Sequence, residues 1–303
     1  MLEPTLTSRR DLMKFALTGI GGFALQPNLF AQDAAKKPEY KLEQKHLAPL
    51  KLKGNLKQSA ARWCYNGVKI DDLCLAAKAM GLVGLDLVAK NDWETLKKHG
   101  LIATMVYGAG TIPNGWNRKE NHDALVNEFK EAAAAAAPFG WKNFITFSGN
   151  RKGMPDGEAT DNCVVGLNRI KSIADEFNIN VNFELLNSKV NHKDYHFDHM
   201  PWGVEVMKRV NHPRIKILYD IYHAQIMDGD IIATIKNNFD LIGHFHTGGV
   251  PGRHELDDTQ ELNWRTVMKA ISDLKYQGYI AHEFVPVRDP LTSLREAILL
   301  SDV

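Results

Sequence analysis

The chain has 303 residues, of which 44% are hydrophobic and 24% are charged, and its formal net charge is +1. This composition allows one large hydrophobic core or two smaller ones and argues against disorder or a fibrous repeat. A nearly neutral chain also argues against nucleic acid or an anionic membrane as the main partner. The three cysteines, Cys64, Cys74 and Cys163, show no metal-binding spacing, and an odd number cannot be fully paired within one chain.

Residues 1–31 are predicted to be a signal peptide. Arg9 and Arg10 form a twin-arginine pair, and a short apolar stretch from Phe15 to Leu25 separates this pair from a candidate cleavage site near Ala31. The apolar stretch is too short to cross a bilayer, so we expect no membrane span in the mature protein. An ordinary basic N-terminus is the alternative. The order of the features favours export to the periplasm by the twin-arginine route.

The remaining residues divide into a lead-in and one domain. Residues 32–57 are rich in Lys and Gln and have little apolar periodicity, which predicts a linker or a loosely packed lead-in. From residue 58 to residue 303, short β-rich apolar runs alternate with stretches of helical periodicity. The eight runs are Ser59 to Tyr65, Leu82 to Val88, Ile102 to Tyr107, Asn143 to Phe147, Asn180 to Leu186, Ile215 to Tyr222, Leu241 to His246 and Tyr279 to Phe284. Helical segments include Asp71 to Met80, Asn121 to Ala137, Asp161 to Phe177 and Asn263 to Gln277.

Strands that alternate with helices predict an α/β fold with parallel strands and right-handed crossovers. Eight such units close into a (β/α)8 TIM barrel. An open, doubly wound sheet is the alternative. Such a sheet usually has a glycine-rich phosphate-binding turn after its first strand, and none follows Tyr65.

Each of the last four strand runs carries one potential metal ligand among apolar neighbours: Glu184, Asp220, His246 and Glu283. The C-terminal ends of barrel strands face a common mouth, where active sites are built. Buried carboxylates need a compensating charge, and a shared cation would supply it. Three carboxylates and one imidazole suit Mn2+ or Mg2+ better than Zn2+, and Co2+ or Zn2+ are the alternative occupants of such a site.

Each of these residues also has an ordinary structural explanation. A lone glutamate in an apolar run more often pairs with Arg or Lys than with a metal. Asp220 could cap a helix, and His246 could be a hydrogen-bonded core residue. The common register of all four favours the metal site.

Three stretches of the sequence closely resemble hydroxypyruvate isomerases and, more broadly, the xylose isomerase-like barrel superfamily that includes the ketose 3-epimerases. They are Leu218 to Met227, Ile242 to Thr247 and Pro251 to Asn263. The resemblance is dense from about Phe183 to Pro286, and before it Ser148 to Arg151 is the main shared piece.

This resemblance implies a role for individual residues. Glu184 and Glu283 would bind the metal and also serve as the acid and base, while Asp220 and His246 would complete the metal coordination. His223 and Arg253 would hold the substrate. The alternative for Arg253 is a surface ion pair with Asp257 or Glu255.

The segment from Gly108 to His122 is longer than an ordinary connection and could form a lid over the barrel mouth. Tyr107 and Trp116 would then bind or shield the substrate. The alternative is an irregular loop whose tryptophan packs on the barrel.

The expected reaction is isomerisation of a small hydroxycarbonyl or sugar substrate, with hydroxypyruvate and 2-hydroxy-3-oxopropanoate interconverted by proton transfer between the two glutamates. Periplasmic epimerisation of a ketose or keto-sugar at carbon 3 and a non-catalytic sugar-binding barrel are the alternatives. The zinc phosphodiesterase branch of the superfamily needs further ligands from early strands, where Asp86 stands alone, and a basic surface. The resemblance also implies a homo-oligomer.

Overall fold

Eight parallel strands close into a barrel in the computed structural model of the chain, which describes residues 40–303. Every strand pairs with the next one along the chain, and β8 pairs with β1. The strands are β1 Lys57–Ala61, β2 Gly84–Asp86, β3 Ile102–Ala109, β4 Asn143–Thr146, β5 Asn180–Glu184, β6 Ile215–Asp220, β7 Ile242–Thr247 and β8 Tyr279–His282. The predicted TIM barrel is therefore confirmed, and each of the eight predicted runs contains or overlaps one strand.

Ten α-helices lie between and after the strands in the described part of the chain. They are α1 Ile70–Ala79, α2 Trp93–Lys98, α3 His122–Ala136, α4 Asp156–Asn168, α5 Lys171–Glu176, α6 Met200–Val210, α7 Ile221–Met227, α8 Ile231–Asn237, α9 Trp264–Asp273 and α10 Pro290–Ser301. The helix predicted from Asp161 to Phe177 begins earlier, at Asp156, and is interrupted after Asn168. None of these helices combines the length and apolar character needed to cross a bilayer.

Local structure marks the end of β1 and the start of α10. The first predicted strand stops at Ala61, and residues Arg62–Tyr65 turn into a short 3-10 helix. At the start of α10, the Asp289 side chain accepts a hydrogen bond from the Thr292 amide, and Pro290 occupies the first helical turn, where its missing N–H costs nothing. The capping hydrogen bond and the proline therefore determine that α10 begins at Pro290.

The segment before β1 packs against the barrel more closely than its composition predicts. Leu42, Leu50 and Leu52 contact the core, and the Tyr40 hydroxyl donates to Asp289 at 2.8 Å. The Lys53 amide donates to Asp302. Residues 40–56 therefore behave as part of the barrel domain, while residues 1–39, which include the predicted signal peptide, lie outside the described residues.

Candidate metal and substrate site

The four predicted ligands converge at the C-terminal end of the barrel. Glu184 and Asp220 are the last residues of β5 and β6, His246 is the penultimate residue of β7, and Glu283 directly follows β8. One ligand atom from each of the four lies within 4.8 Å of one from every other. All four residues are buried, and Asp220 and His246 have no exposed surface.

His246 lies at the centre of the carboxylates. Its Nδ1 atom is 2.6 Å from Glu283 Oε2, 3.4 Å from Glu184 Oε1 and 3.8 Å from Asp220 Oδ2. Nδ1 is nevertheless a buried nitrogen that makes no contact of hydrogen-bond geometry with the described residues. Once deprotonated, Nδ1 could therefore bind a cation together with the three carboxylates.

Arg253 is the organic cation of this cluster. It lies in the loop after β7, and its Nη2 atom donates to Asp220 Oδ2 at 2.6 Å and makes a short contact with Glu283 Oε2. Its Nη1 atom is 2.6 Å from His223 Nε2. The alternative of a surface ion pair is wrong, because Arg253 is buried among these groups and Arg288 occupies Asp257.

The two glutamates of the cluster have different pKa values because their charged neighbours differ. Burial raises the pKa of Glu184 to about 7, and the contact with the His246 ring only partly offsets this effect. Burial also acts to raise the pKa of Glu283, but His246 and Arg253 outweigh it and hold this pKa well below its ordinary value. Burial raises the pKa of Asp220 as well. Two carboxylates in one site with unequal proton affinities are typical of an acid/base pair.

The donor set fits a hard divalent cation. Three buried carboxylates outnumber the single guanidinium, and the oxygen-rich set with one imidazole suits Mn2+ or Mg2+. Asp220 fits the helix-cap explanation as well: its Oδ1 accepts the His223 amide at the start of α7, while its Oδ2 faces the cluster.

A cavity of about 430 Å³ lies above the cluster. Glu184, Glu283, His223, Arg253 and Tyr107 line it, whereas Asp220 and His246 do not. Of the four candidate metal ligands, the two glutamates are therefore the ones that can contact both a bound ion and a substrate.

The cavity has one polar wall and one apolar wall. The apolar wall comes mainly from residues near β2 to β4, with one leucine after β5: Leu87, Ile112, Ile145, Phe147 and Leu186. Trp63 and Val285, which are partly exposed, lie at the rim with Tyr107. An apolar wall keeps water from the reacting carbons, and an exposed aromatic rim offers contact area to a bound molecule.

The proposed substrate contact of Trp116 is wrong. Trp116 has no exposed surface, and its indole N–H donates to Thr146 Oγ1 at 2.6 Å. A Cβ placed on Gly166 of α4 would lie 2.5 Å from the indole ring, so Trp116 packs between the barrel and α4. The segment from Gly108 to His122 reaches the cavity through Ile112 instead.

Sequence reasoning missed several residues of the site. The Trp63 indole donates to Glu283 Oε1 at 2.5 Å, and Asn191 and His192 line the cavity from the loop after β5. The backbone N–H of Asn187 donates to His223 Nδ1 at 3.0 Å. These contacts join loops that are distant in sequence, so local spacing gave no signal for them. A tryptophan two residues after β1, at the end of the barrel that carries active sites, is the one usable sequence signal.

Comparison with known proteins identifies relatives of this barrel. A sequence model described as the xylose isomerase-like TIM barrel matches residues 86–301. A protein of Danio rerio that is provisionally named a hydroxypyruvate isomerase is 39% identical over 104 residues, which is 34% of this chain and 37% of that protein. The chain thus matches well under half the length of that relative. The hydroxypyruvate isomerase of Escherichia coli strain K12 is 26% identical over 235 residues, or 72% of this chain and 89% of that enzyme. A solved structure titled as an AP endonuclease of family 2 from Brucella melitensis superposes with a TM-score of 0.70 at 23% identity, covering 79% of this chain and 96% of that chain, which supports the fold alone.

Proposed function

Because the chain belongs to the xylose isomerase-like TIM-barrel family, we propose that it is a metal-dependent isomerase of the hydroxypyruvate isomerase type. One observation carries the proposal: Glu184 and Glu283 line the cavity and also belong to the cluster of candidate metal ligands. A pair of carboxylates in this position can contact a small hydroxycarbonyl directly. The similarity to the hydroxypyruvate isomerase of Escherichia coli supports the substrate class.

In this proposal, Glu184, Asp220, His246 and Glu283 hold one Mn2+ or Mg2+ ion. Such a cation would supply positive charge beside the substrate carbonyl and would offset the negative charge that develops on the substrate oxygens. One glutamate removes the proton from carbon 3 of hydroxypyruvate, and the other returns a proton at carbon 2. The hydroxyl proton moves from the oxygen on carbon 3 to the oxygen on carbon 2, which gives 2-hydroxy-3-oxopropanoate.

Three further side chains would position the substrate. Four of the five N–H groups of the Arg253 guanidinium contact Glu283, His223 and Asp220, so one N–H of Nη1 remains to donate to the substrate carboxylate, and His223 lies beside it. Tyr107, which is half exposed at the rim, would cover the bound molecule. Trp63 would hold Glu283 through its indole hydrogen bond.

A second candidate function is epimerisation of a longer ketose or keto-sugar, and the size of the cavity favours it. A volume of about 430 Å³ corresponds to roughly fourteen water molecules at about 30 Å³ each, which is more than a three-carbon acid needs. The same pair of glutamates on opposite faces of a carbinol carbon would invert it.

Solvent exchange in deuterated buffer distinguishes these functions. With Mn2+ present, the protein should incorporate deuterium into hydroxypyruvate, and NMR shows which C–H has exchanged. Glu184→Gln and Glu283→Gln should each lower the exchange rate by about 10²-fold or more. The matched control is Glu205→Gln, an exposed glutamate on α6, which should leave the rate unchanged.

The other outcomes have clear meanings. Exchange at carbon 3 of a ketose without exchange of hydroxypyruvate selects the epimerase. Unchanged exchange in both glutamate variants contradicts the acid/base assignment. If the protein binds sugars but catalyses no metal-dependent exchange with either hydroxypyruvate or ketoses, it is a sugar-binding barrel and the proposal of catalysis is wrong.

We also propose that the protein is exported to the periplasm by the twin-arginine route. The Arg9 and Arg10 pair and the apolar stretch that follows support this. Replacing both arginines by lysine should retain the protein in the cytoplasm of a bacterium with this pathway, whereas Lys36→Arg should not. Unchanged periplasmic recovery of the double variant in cell fractions contradicts the proposal.

A further inference from the structure

A further buried carboxylate, Asp86 at the end of β2, lies beneath the cluster of candidate metal ligands. Its Oδ2 atom is 2.6 Å from His244 Nε2 and 3.1 Å from His246 Nε2. Its Oδ1 atom accepts the Ser59 hydroxyl at 3.0 Å and the Thr104 hydroxyl. Asp86 has no exposed surface, so four donors from β1, β3 and β7 surround one charge inside the barrel.

Irregularities in the strand register bring these donors together. The pairing of β2 with β3 shifts between Leu85 and Asp86, which leaves Thr104 as an extra residue beside Asp86. The pairing of β6 with β7 shifts in the same way and leaves Gly243 as the extra residue before His244. A Cβ on Gly243 would lie 2.4 Å from Asn182 Oδ1, so only glycine fits there. His244 and His246, two residues apart on β7, then both face the interior.

The two nitrogens of His246 serve different partners. Nε2 points to Asp86, and Nδ1 points to Glu184, Asp220 and Glu283. An aspartate can only accept, so its contact requires the ring proton on Nε2. When an ion takes the place of a proton on Nδ1, the ring keeps its proton on Nε2 and offers the lone pair of Nδ1, the nitrogen without a hydrogen-bond partner in the described residues.

We propose that Asp86 is a positioning residue that fixes His246 as an Nδ1 metal ligand, a role that rests on the proposed metal site. Asp86 reaches neither the cavity nor the substrate. It acts through His246 by selecting the ring tautomer and holding the ring orientation. A carboxylate that accepts the second N–H of a ligating histidine strengthens metal binding in this way.

The side chains of Asp86, His244 and His246 could instead hold an ion of their own. The contacts of Asp86 favour the positioning role, because both imidazoles lie at hydrogen-bond distance and two hydroxyls occupy the other oxygen. The number of ions bound per chain distinguishes the two arrangements.

Titration of the metal-free protein with Mn2+, followed by calorimetry, tests the proposal. The wild type should bind one ion per chain, and Asp86→Asn should raise the Mn2+ dissociation constant by about 10–100-fold. The matched control is Ser59→Ala, which removes a donor to the same aspartate but leaves both imidazole contacts, and its Mn2+ affinity should stay close to that of the wild type. Equal affinities of the wild type and a folded Asp86→Asn variant overturn the inference, and so do two ions per chain.

A spectroscopic measurement covers the case in which Asp86→Asn does not fold. In the wild type labelled with ¹⁵N-histidine and loaded with diamagnetic Zn2+, the His246 proton should remain on Nε2 while Nδ1 is bound. A bound ring with its proton on Nδ1 overturns the inference. A wild type that binds no divalent ion contradicts the proposed function itself, whereas ion binding that does not depend on Asp86 contradicts this inference alone.

Discussion

The Arg253 side chain compensates part of the negative charge of the buried carboxylates in a site that also suits a metal ion. Its guanidinium contacts Asp220 and Glu283, and its charged end lies 5.0 Å from the centre of the Tyr222 ring and 5.6 Å from that of Trp63. Without the guanidinium, the His246 ring would be the one close cationic partner of the three buried carboxylates among residues 40–303. Uncompensated buried charge is strongly destabilising. Arg253 therefore stabilises the metal-free protein as well as facing the substrate cavity.

Arg253→Met should lower the free energy of unfolding of the metal-free protein by about 3–5 kcal/mol, because buried carboxylates lose their partner. Mn2+ should recover much of this loss, since ion binding to the folded state stabilises it. Denaturant unfolding with and without Mn2+ measures both effects.

The control for Arg253→Met is Arg169→Met, which removes a half-exposed arginine from a surface ion pair with Asp123. It should cost less than about 1 kcal/mol and should not depend on Mn2+. Equal losses in the two variants, or no recovery of Arg253→Met by Mn2+, contradict the assigned role.

The limits of sequence reasoning are also visible at the scale of residues. Glu184, Asp220, His246 and Glu283 could be predicted because each stands at the end of a strand, and barrel topology then brings strand ends together. From the sequence, Asp86 is a lone acidic residue on the second predicted strand, and nothing near it in the sequence indicates its partners. Its partners His244 and His246 lie across the barrel interior, and that contact depends on two register shifts that no local pattern announces.

Among the elements, the loops after β7 and β8 are joined by one buried carboxylate. Glu255 accepts the backbone N–H groups of Val287 and Arg288 and the hydroxyl of Ser293 at the start of α10. The loop after β7 also carries Arg253, so Glu255 holds the loop that brings the guanidinium to the site.

Glu255 should make stability depend on pH in the acid range. Burial acts to raise its pKa, but the hydrogen bonds from Arg288, Ser293 and Val287 outweigh it and lower the pKa below the ordinary 4.5. A lowered folded-state pKa gives stabilisation that is present above the ordinary pKa and is lost as the pH falls through the folded-state pKa. The difference in unfolding free energy between the wild type and Glu255→Gln should therefore shrink between pH 6 and about pH 3. A difference that is constant over this range, measured by urea unfolding, contradicts this explanation.

Elements with strong periodicity were predictable, and irregular ones were not. In the β5 run, polar and apolar residues alternate from Asn180 to Glu184, two leucines follow, and the run forms a strand as expected. Trp116 lies in a segment without periodicity, so the sequence alone could not distinguish a lid from a packed loop. The structure selects the packed loop because the Trp116 and Asn117 amides pair with the Phe147 and Ser148 carbonyls at the end of β4.

At the scale of the whole molecule, barrel closure determines what the site can be. Ligands from β5, β6 and β7 and the residue after β8 form one half of the mouth, and apolar residues near β2 to β4 form the other half of the cavity wall. A reacting carbon would thus lie between charged groups on one side and water-excluding groups on the other. The homo-oligomer implied by the sequence resemblance stays a prediction, which sedimentation of the purified protein can test.

The central claim is that four side chains from successive strand ends bind one divalent ion. Crystals grown with Mn2+ and measured at the manganese absorption edge test it most directly. The anomalous map should show one peak per chain, between about 2.0 and 2.6 Å from Glu184, Asp220, His246 Nδ1 and Glu283. A map with no peak there, with Arg253 still bonded to Asp220 and Glu283, would contradict the account.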